Sequence, residues 1–121
     1  MSVSYFKFKN IIALLLGVIL CFWTATTLAQ CWTSDLSEYE QVAVARETFE
    51  TELFAESIEA AKCYLDEFPV GNSREEMLYL KAESFRKSGK LNDAVKGYDE
   101  LMISYPASNE YLEKVMFHKG V

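Results

Sequence analysis

The sequence predicts an all-α protein: a leader helix followed by antiparallel helix pairs stacked side by side. Three observations carry this expectation. Ser57 to Pro69 recurs in pattern as Ala94 to Pro106, an offset of 37 residues. A fixed offset of about 20–50 residues marks a solenoid, in which each unit buries its apolar face only against its neighbours. Apolar residues in and between the two copies recur at three- and four-residue steps, the period of a helix. Beyond residue 36 no stretch alternates with period two over a useful length, so strands are not expected. The copies agree in kind at Ser57/Ala94, Ile58/Val95, Tyr64/Leu101, Leu65/Met102 and Phe68/Tyr105, and only the proline is identical. Ala61 opposite Tyr98 is a size mismatch.

Residues 1–29 have the order of a secretory leader. Lys7 and Lys9 supply the positive start, Ile11 to Phe22 is apolar apart from Gly17, and Thr24 to Ala29 is a small-residue stretch. Cleavage is expected ahead of Gln30. The alternative is a retained anchor, for which the apolar run of roughly a dozen residues falls short of the roughly 20 that span a bilayer. Leu28-Ala29-Gln30-Cys31 also resembles the box that precedes the lipid-bearing cysteine of bacterial lipoproteins, departing from it at Gln30. Cys31 is therefore a candidate lipidation site, and acyl chains there would hold the domain on a membrane without a spanning helix.

With the leader gone, ten Lys and Arg face eighteen Asp and Glu, a net charge of −8. That balance argues against a nucleic-acid backbone as partner, which demands clustered Lys and Arg, and against adsorption to anionic lipid by charge alone. It suits a soluble surface kept apart by like charge. Cys31 and Cys63 remain after cleavage, in a compartment where disulfides form. Either the two are bonded to each other, or Cys31 carries lipid and Cys63 packs as a small apolar residue. One His and two Cys give no metal-site spacing, so no metal or other cofactor is expected.

The mature chain divides into a lead-in at 30–36 and a helical domain at 37–121. Ser37-Glu38-Tyr39-Glu40 has the Ser-x-x-Glu form of a capping box and opens a helix expected over 37–51, with Val42, Ala45 and Phe49, and Val44 and Thr48, on its apolar stripes. A second helix is expected over 54–67, stopped at Phe68-Pro69 because proline disfavours helical geometry in the residue before it. Gly71-Asn72 turns the chain. Ser73-Arg74-Glu75-Glu76 reads as a second capping box, opening a helix over 74–88 with Met77, Leu78, Lys81, Ala82 and Phe85 inward. Gly89 closes it in a left-handed conformation. A fourth helix starts between Lys90 and Asn92 and runs to Ser104, before Tyr105-Pro106. Ser108-Asn109 begins a fifth, from Glu110 onward.

The second pair, with Leu78, Ala82, Phe85, Gly89, Ala94, Tyr98, Leu101 and Pro106 at their spacings, resembles the tetratricopeptide repeat. Ala82 and Ala94 stand where the paired helices of that repeat come closest, and Phe85 and Tyr98 where its rings fill the gap to the next helix. The first unit follows more loosely, with Ala45, Thr48, Ser57 and Ala61 at the matching places and Glu52 where the turn glycine belongs. The Phe-Pro and Tyr-Pro endings are similar to those of envelope repeat proteins of Gram-negative bacteria, the BamD-like lipoproteins and the Tol–Pal-associated periplasmic protein among them. The resemblance covers residues 38–121, about two and a half repeats.

What the resemblance implies is a right-handed superhelix whose concave wall is built by the first helix of each pair. Tyr39, Val42, Arg46, Phe49 and Glu50 would line it from the first unit, and Glu76, Tyr79, Glu83, Arg86 and Lys87 from the second. Aromatics and Arg are the residue types that anchor interfaces. The implied function is a non-enzymatic scaffold of the bacterial envelope, periplasmic or outer-membrane-anchored, holding a segment of another protein. The alternatives are a lipid-anchored structural subunit of an outer-membrane assembly complex and the amino-terminal module of a longer enzyme or transport protein.

Nothing in the chain reads as catalysis. His118 sits among Met116 and Phe117 as a structural residue, and no nucleophile elbow, phosphate loop or dinucleotide fingerprint occurs. The pairs Asp66-Glu67, Glu75-Glu76 and Asp99-Glu100 are neighbours in sequence, which do not face one another on a helix. Tyr111, Leu112, Val115 and Met116 read as the start of another first helix, so the sequence is expected to be part of a longer array or to have its last face covered by a partner or a second copy.

Overall fold

The computed structural model describes residues 31–107 and 109–119; the leader expected at 1–29 lies outside the described residues. Five helices follow one another: α1 (Glu38–Glu50), α2 (Phe54–Glu67), α3 (Arg74–Lys87), α4 (Leu91–Ser104) and α5 (Asn109–Lys119). The fold is all-α, and no strand occurs among the described residues. No described helix is long and apolar enough to cross a membrane.

The short turns after α1 and α3 fold each pair back on itself, and consecutive helices pack: α1 on α2, α2 on α3, α3 on α4, α4 on α5, with α1 also against α3. Two apolar clusters result. Val42, Ala45, Ala60, Ala61, Tyr64, Met77 and Leu80 form the first. Leu78, Ala82, Ala94, Tyr98, Leu101 and Val115 form the second. Leu65 of α2 packs against both, so the core of one pair continues into the next.

The 37-residue offset read from the sequence reappears bond for bond in the backbone. Leu53 and Lys90, the residues before α2 and α4, have φ/ψ of −83°/68° and −84°/67°. The Leu53 N–H donates to the Thr48 carbonyl at 2.8 Å, and the Lys90 N–H to the Phe85 carbonyl at 2.9 Å. Thr51 and Ser88 each return a hydroxyl to the carbonyl four residues back, both at 2.8 Å. Phe68 and Tyr105 close α2 and α4 with the same bond to the residue four back, both 2.9 Å. The left-handed turn residue is Gly89 at φ 81° in the second unit and Glu52 at φ 63° in the first. A side chain in that conformation costs about 1–2 kcal/mol, so the first unit keeps the turn against the preference of its own residue.

Two local expectations need correction. Ser37 does form a capping box, its Oγ accepting from the Glu40 N–H at 3.4 Å while the Glu40 carboxylate accepts from the Ser37 N–H at 2.9 Å. Ser73 does not: its side chain makes no cap bond. Its N–H donates to the Tyr64 hydroxyl at 3.0 Å, because that loop is organised from α2. The closest approach of α3 and α4 is at Gly97, not at Ala94. A Cβ on Gly97 would lie 2.9 Å from the Ala82 Cβ and 3.2 Å from its Cα, whereas Ala94 is buried one turn earlier.

Candidate functional site

The expected wall residues lie on α1 and α3, which pack against each other. Where the amino-terminal ends of these helices meet, Ser37, Glu38, Tyr39, Val42, Arg46, Asn72 and Ser73 line an open groove of about 420 Å³. That falls within the about 300–1,000 Å³ of small-ligand clefts. Val42 is buried, and Tyr39 stands 79% exposed beside it. The groove is held by a polar knot. Glu38 Oε1 accepts from the Tyr64 hydroxyl at 2.6 Å and from the Asn72 N–H at 3.1 Å. Burial, with Glu38 as hydrogen-bond acceptor, raises the Tyr64 pKa, so the ring stays a neutral donor.

Arg46 is not a free cation on this wall. Its guanidinium grips Glu76 of α3 with two bonds, Nε to Oε1 at 2.5 Å and Nη2 to Oε2 at 2.6 Å. This bidentate pair raises the arginine pKa further and ties α1 to α3. Phe49 is half-buried and meets Phe54 edge-on at 5.9 Å, with the Lys87 ammonium 5.7 Å from one ring and 6.0 Å from the other. Tyr79 stacks on Tyr111 of α5 at 4.6 Å. Lys114 lies over both, at 5.7 and 5.4 Å. Burial first, then the charges of Glu110 and of Glu76 on α3, pushes Tyr111 up to about 12.

Glu83 is not exposed as expected of a wall residue. It is buried and accepts from Arg86, Nη2 to Oε2 at 2.8 Å and Nε to Oε1 at 3.2 Å. The buried Tyr98 hydroxyl donates to the same carboxylate, and His118 Nε2 of α5 stands 3.4 Å from it. Burial alone would raise the Glu83 pKa; hydrogen bonds from Arg86 and Tyr98, with the Arg86 charge, outweigh it and hold the carboxyl below its usual range. The same contact raises the Arg86 pKa, while burial followed by Glu83 raises that of Tyr98. The Glu83 carboxylate thus brings side chains of α3, α4 and α5 together.

The candidate lipidation site also changes. Cys31 is disulfide-bonded to Cys63, with Cα atoms 5.5 Å apart. A thioether to lipid and this disulfide use the same sulfur, so they exclude one another. Among the described residues no cluster of His, Cys, Asp and Glu could hold a metal ion. Sequence reasoning missed Tyr111 and Lys114, because the packing of α5 against earlier helices has no local signal.

No protein-family model, curated protein or solved structure matches this chain.

Proposed function

We propose that this chain is an exported, tetratricopeptide-like scaffold whose first helices form the concave wall of a right-handed superhelix and hold a segment of another protein. The observation that carries the reading is the bond-for-bond recurrence of the helix pair at a 37-residue offset. Stacked pairs expose one helix row over a long surface, and such surfaces bind extended partners. The Cys31–Cys63 disulfide supports export, since such bonds persist in oxidising compartments. The lipid-anchored alternative requires a free Cys31 sulfur.

The partner contact is aromatic rather than ionic. Arg46 and Arg86 already satisfy Glu76 and Glu83, so neither is a spare charge. Tyr39 over the Val42 floor is left as the anchor. The partner segment then presents an apolar side chain to the groove. A photo-crosslinking residue placed at Tyr39 tests this in the full chain, with the same residue at exposed Ala55 as control. A discrete adduct at position 39 that is absent at position 55 is the expected result. Equal labelling at both positions would remove the groove as the site.

A further inference from the structure

Segment 31–36 is tied to the start of the helix array, by the Gln41 amide and by the Cys31–Cys63 bond. Gln41, Leu78 and Val115 stand at 37-residue intervals, and all three are buried. Around Leu78 the fit is apolar, with Leu65 of the preceding α2 packed against its cluster. Among the described residues no helix precedes α1, and segment 31–36 reaches Gln41 instead. The Gln41 amide donates to the Leu36 carbonyl at 3.3 Å and to Glu67 of α2 at 2.7 Å. A carbonyl partly withdrawn from water favours a donor, and Gln41 supplies one where the later units carry leucine and valine. The segment is itself wound into two turns, Ser34 N–H to the Cys31 carbonyl and Leu36 N–H to the Thr33 carbonyl, both 3.0 Å. Thr33 is fully buried, and Cys31 is bonded to buried Cys63 in the middle of α2.

We infer that residues 31–36 are a redox-latched end cap: oxidised, they seal the first helix pair in the place where another repeat would stack; reduced, they release and uncover that face. Without the covalent bond, the segment is held by the Gln41 amide on the Leu36 carbonyl and by the buried Thr33 side chain. The two sulfurs differ in access, Cys31 being half-buried and Cys63 buried. A dithiol reductant therefore attacks Cys31 as the thiolate, and Cys63 leaves and takes a proton. The reductant's second thiol then displaces Cys31, which takes the second proton. Two electrons pass to the cysteines and the reductant ends as a disulfide.

Hydrogen exchange on the full chain tests the cap, oxidised and with dithiothreitol, with Cys31→Ser as the reagent-free equivalent. The Ser34 and Leu36 amides should exchange about tenfold faster or more after reduction, while amides within α3 and α4 keep their protection. Unchanged protection at 34 and 36 would overturn the latch. Equal loss throughout α3 and α4 would also overturn it, because the bond would then be a staple of the whole fold. Gln41→Leu, measured oxidised, should loosen the same two amides by leaving the Leu36 carbonyl unpaired; no change there would remove the reason given for glutamine.

Discussion

Replacing Tyr98 with phenylalanine and with alanine separates two contributions at one site. The ring is buried in the second apolar cluster, and its hydroxyl donates to the buried Glu83 carboxylate. A hydrogen bond to a charged group is worth about 1.5–3 kcal/mol, so Tyr98→Phe should cost about 2 kcal/mol without opening a cavity. Truncating a buried ring costs about 3–5 kcal/mol, so Tyr98→Ala should cost about 5 kcal/mol in all. A small domain has only about 5–15 kcal/mol in total, and the alanine variant should therefore sit near its unfolding threshold. Urea unfolding followed by far-UV circular dichroism measures both. The pH dependence supplies a second readout. Glu83 has its folded pKa lowered from 4.5, so its contribution is present above that value and is lost as the pH falls through the lower folded value. Without the Tyr98 hydroxyl the folded pKa rises towards the unfolded one, so the acid-dependent loss should be smaller and should be complete at a higher pH. A loss under about 0.5 kcal/mol in Tyr98→Phe, with an unmoved acid transition, would mean that the hydroxyl does not hold Glu83.

Further outcomes follow from single contacts. Glu52→Gly removes the left-handed penalty in the first turn and should stabilise the fold by about 0.5–1 kcal/mol after the entropy that glycine forfeits; thermal unfolding checks it, and a destabilisation would place the turn elsewhere. Arg46→Ala should cost about 1 kcal/mol or less, since the pair with Glu76 is largely exposed, and a chemical-denaturation loss beyond about 2 kcal/mol would make it a structural clamp. Tyr98 has its folded pKa raised, so its contribution is complete below about pH 10, the unfolded value, and is lost as the pH climbs through the folded one; Tyr98→Phe should flatten that alkaline loss in a stability–pH profile. In the oxidised protein neither Cys31 nor Cys63 should take an alkylating reagent, and intact mass decides this, because lipid on Cys31 would add acyl mass and leave Cys63 reactive.

Most helix boundaries were legible, because proline and the turn residues punctuate them. Phe68-Pro69, Gly89 and Tyr105-Pro106 each end an element where expected. The Ser73 box was not, since a Ser-x-x-Glu string states only that a cap is available. Tyr64, one helix away, took the Ser73 N–H. The resemblance to the tetratricopeptide repeat assigned Arg46, Glu83 and Arg86 to first helices, and they lie on α1 and α3. Whether a charge meets solvent or another charge depends on its neighbours across the packing. Nothing near Glu83 in the sequence announces Tyr98, fifteen positions away, or His118 on α5.

The two units reach one backbone by different interior chemistry, and this accounts for the weak sequence signal of the first. In the second unit Ala82 meets Gly97, and at the same register the first has Ala45 and Ala60, all of them buried. Where the second places Ala94, the first has Ser57, whose hydroxyl donates to the Ala45 carbonyl at 3.1 Å across the helix pair. Each unit also buries one tyrosine hydroxyl on a glutamate of a first helix, Tyr64 on Glu38 and Tyr98 on Glu83, from different register positions. Small residues at the crossing and a buried hydroxyl-to-carboxylate tie are thus the shared requirements, and residue identity at any one place is not. A repeat that fixes its helix spacing this way can change nearly every letter between copies, provided that each buried polar atom it introduces finds a partner across the pair.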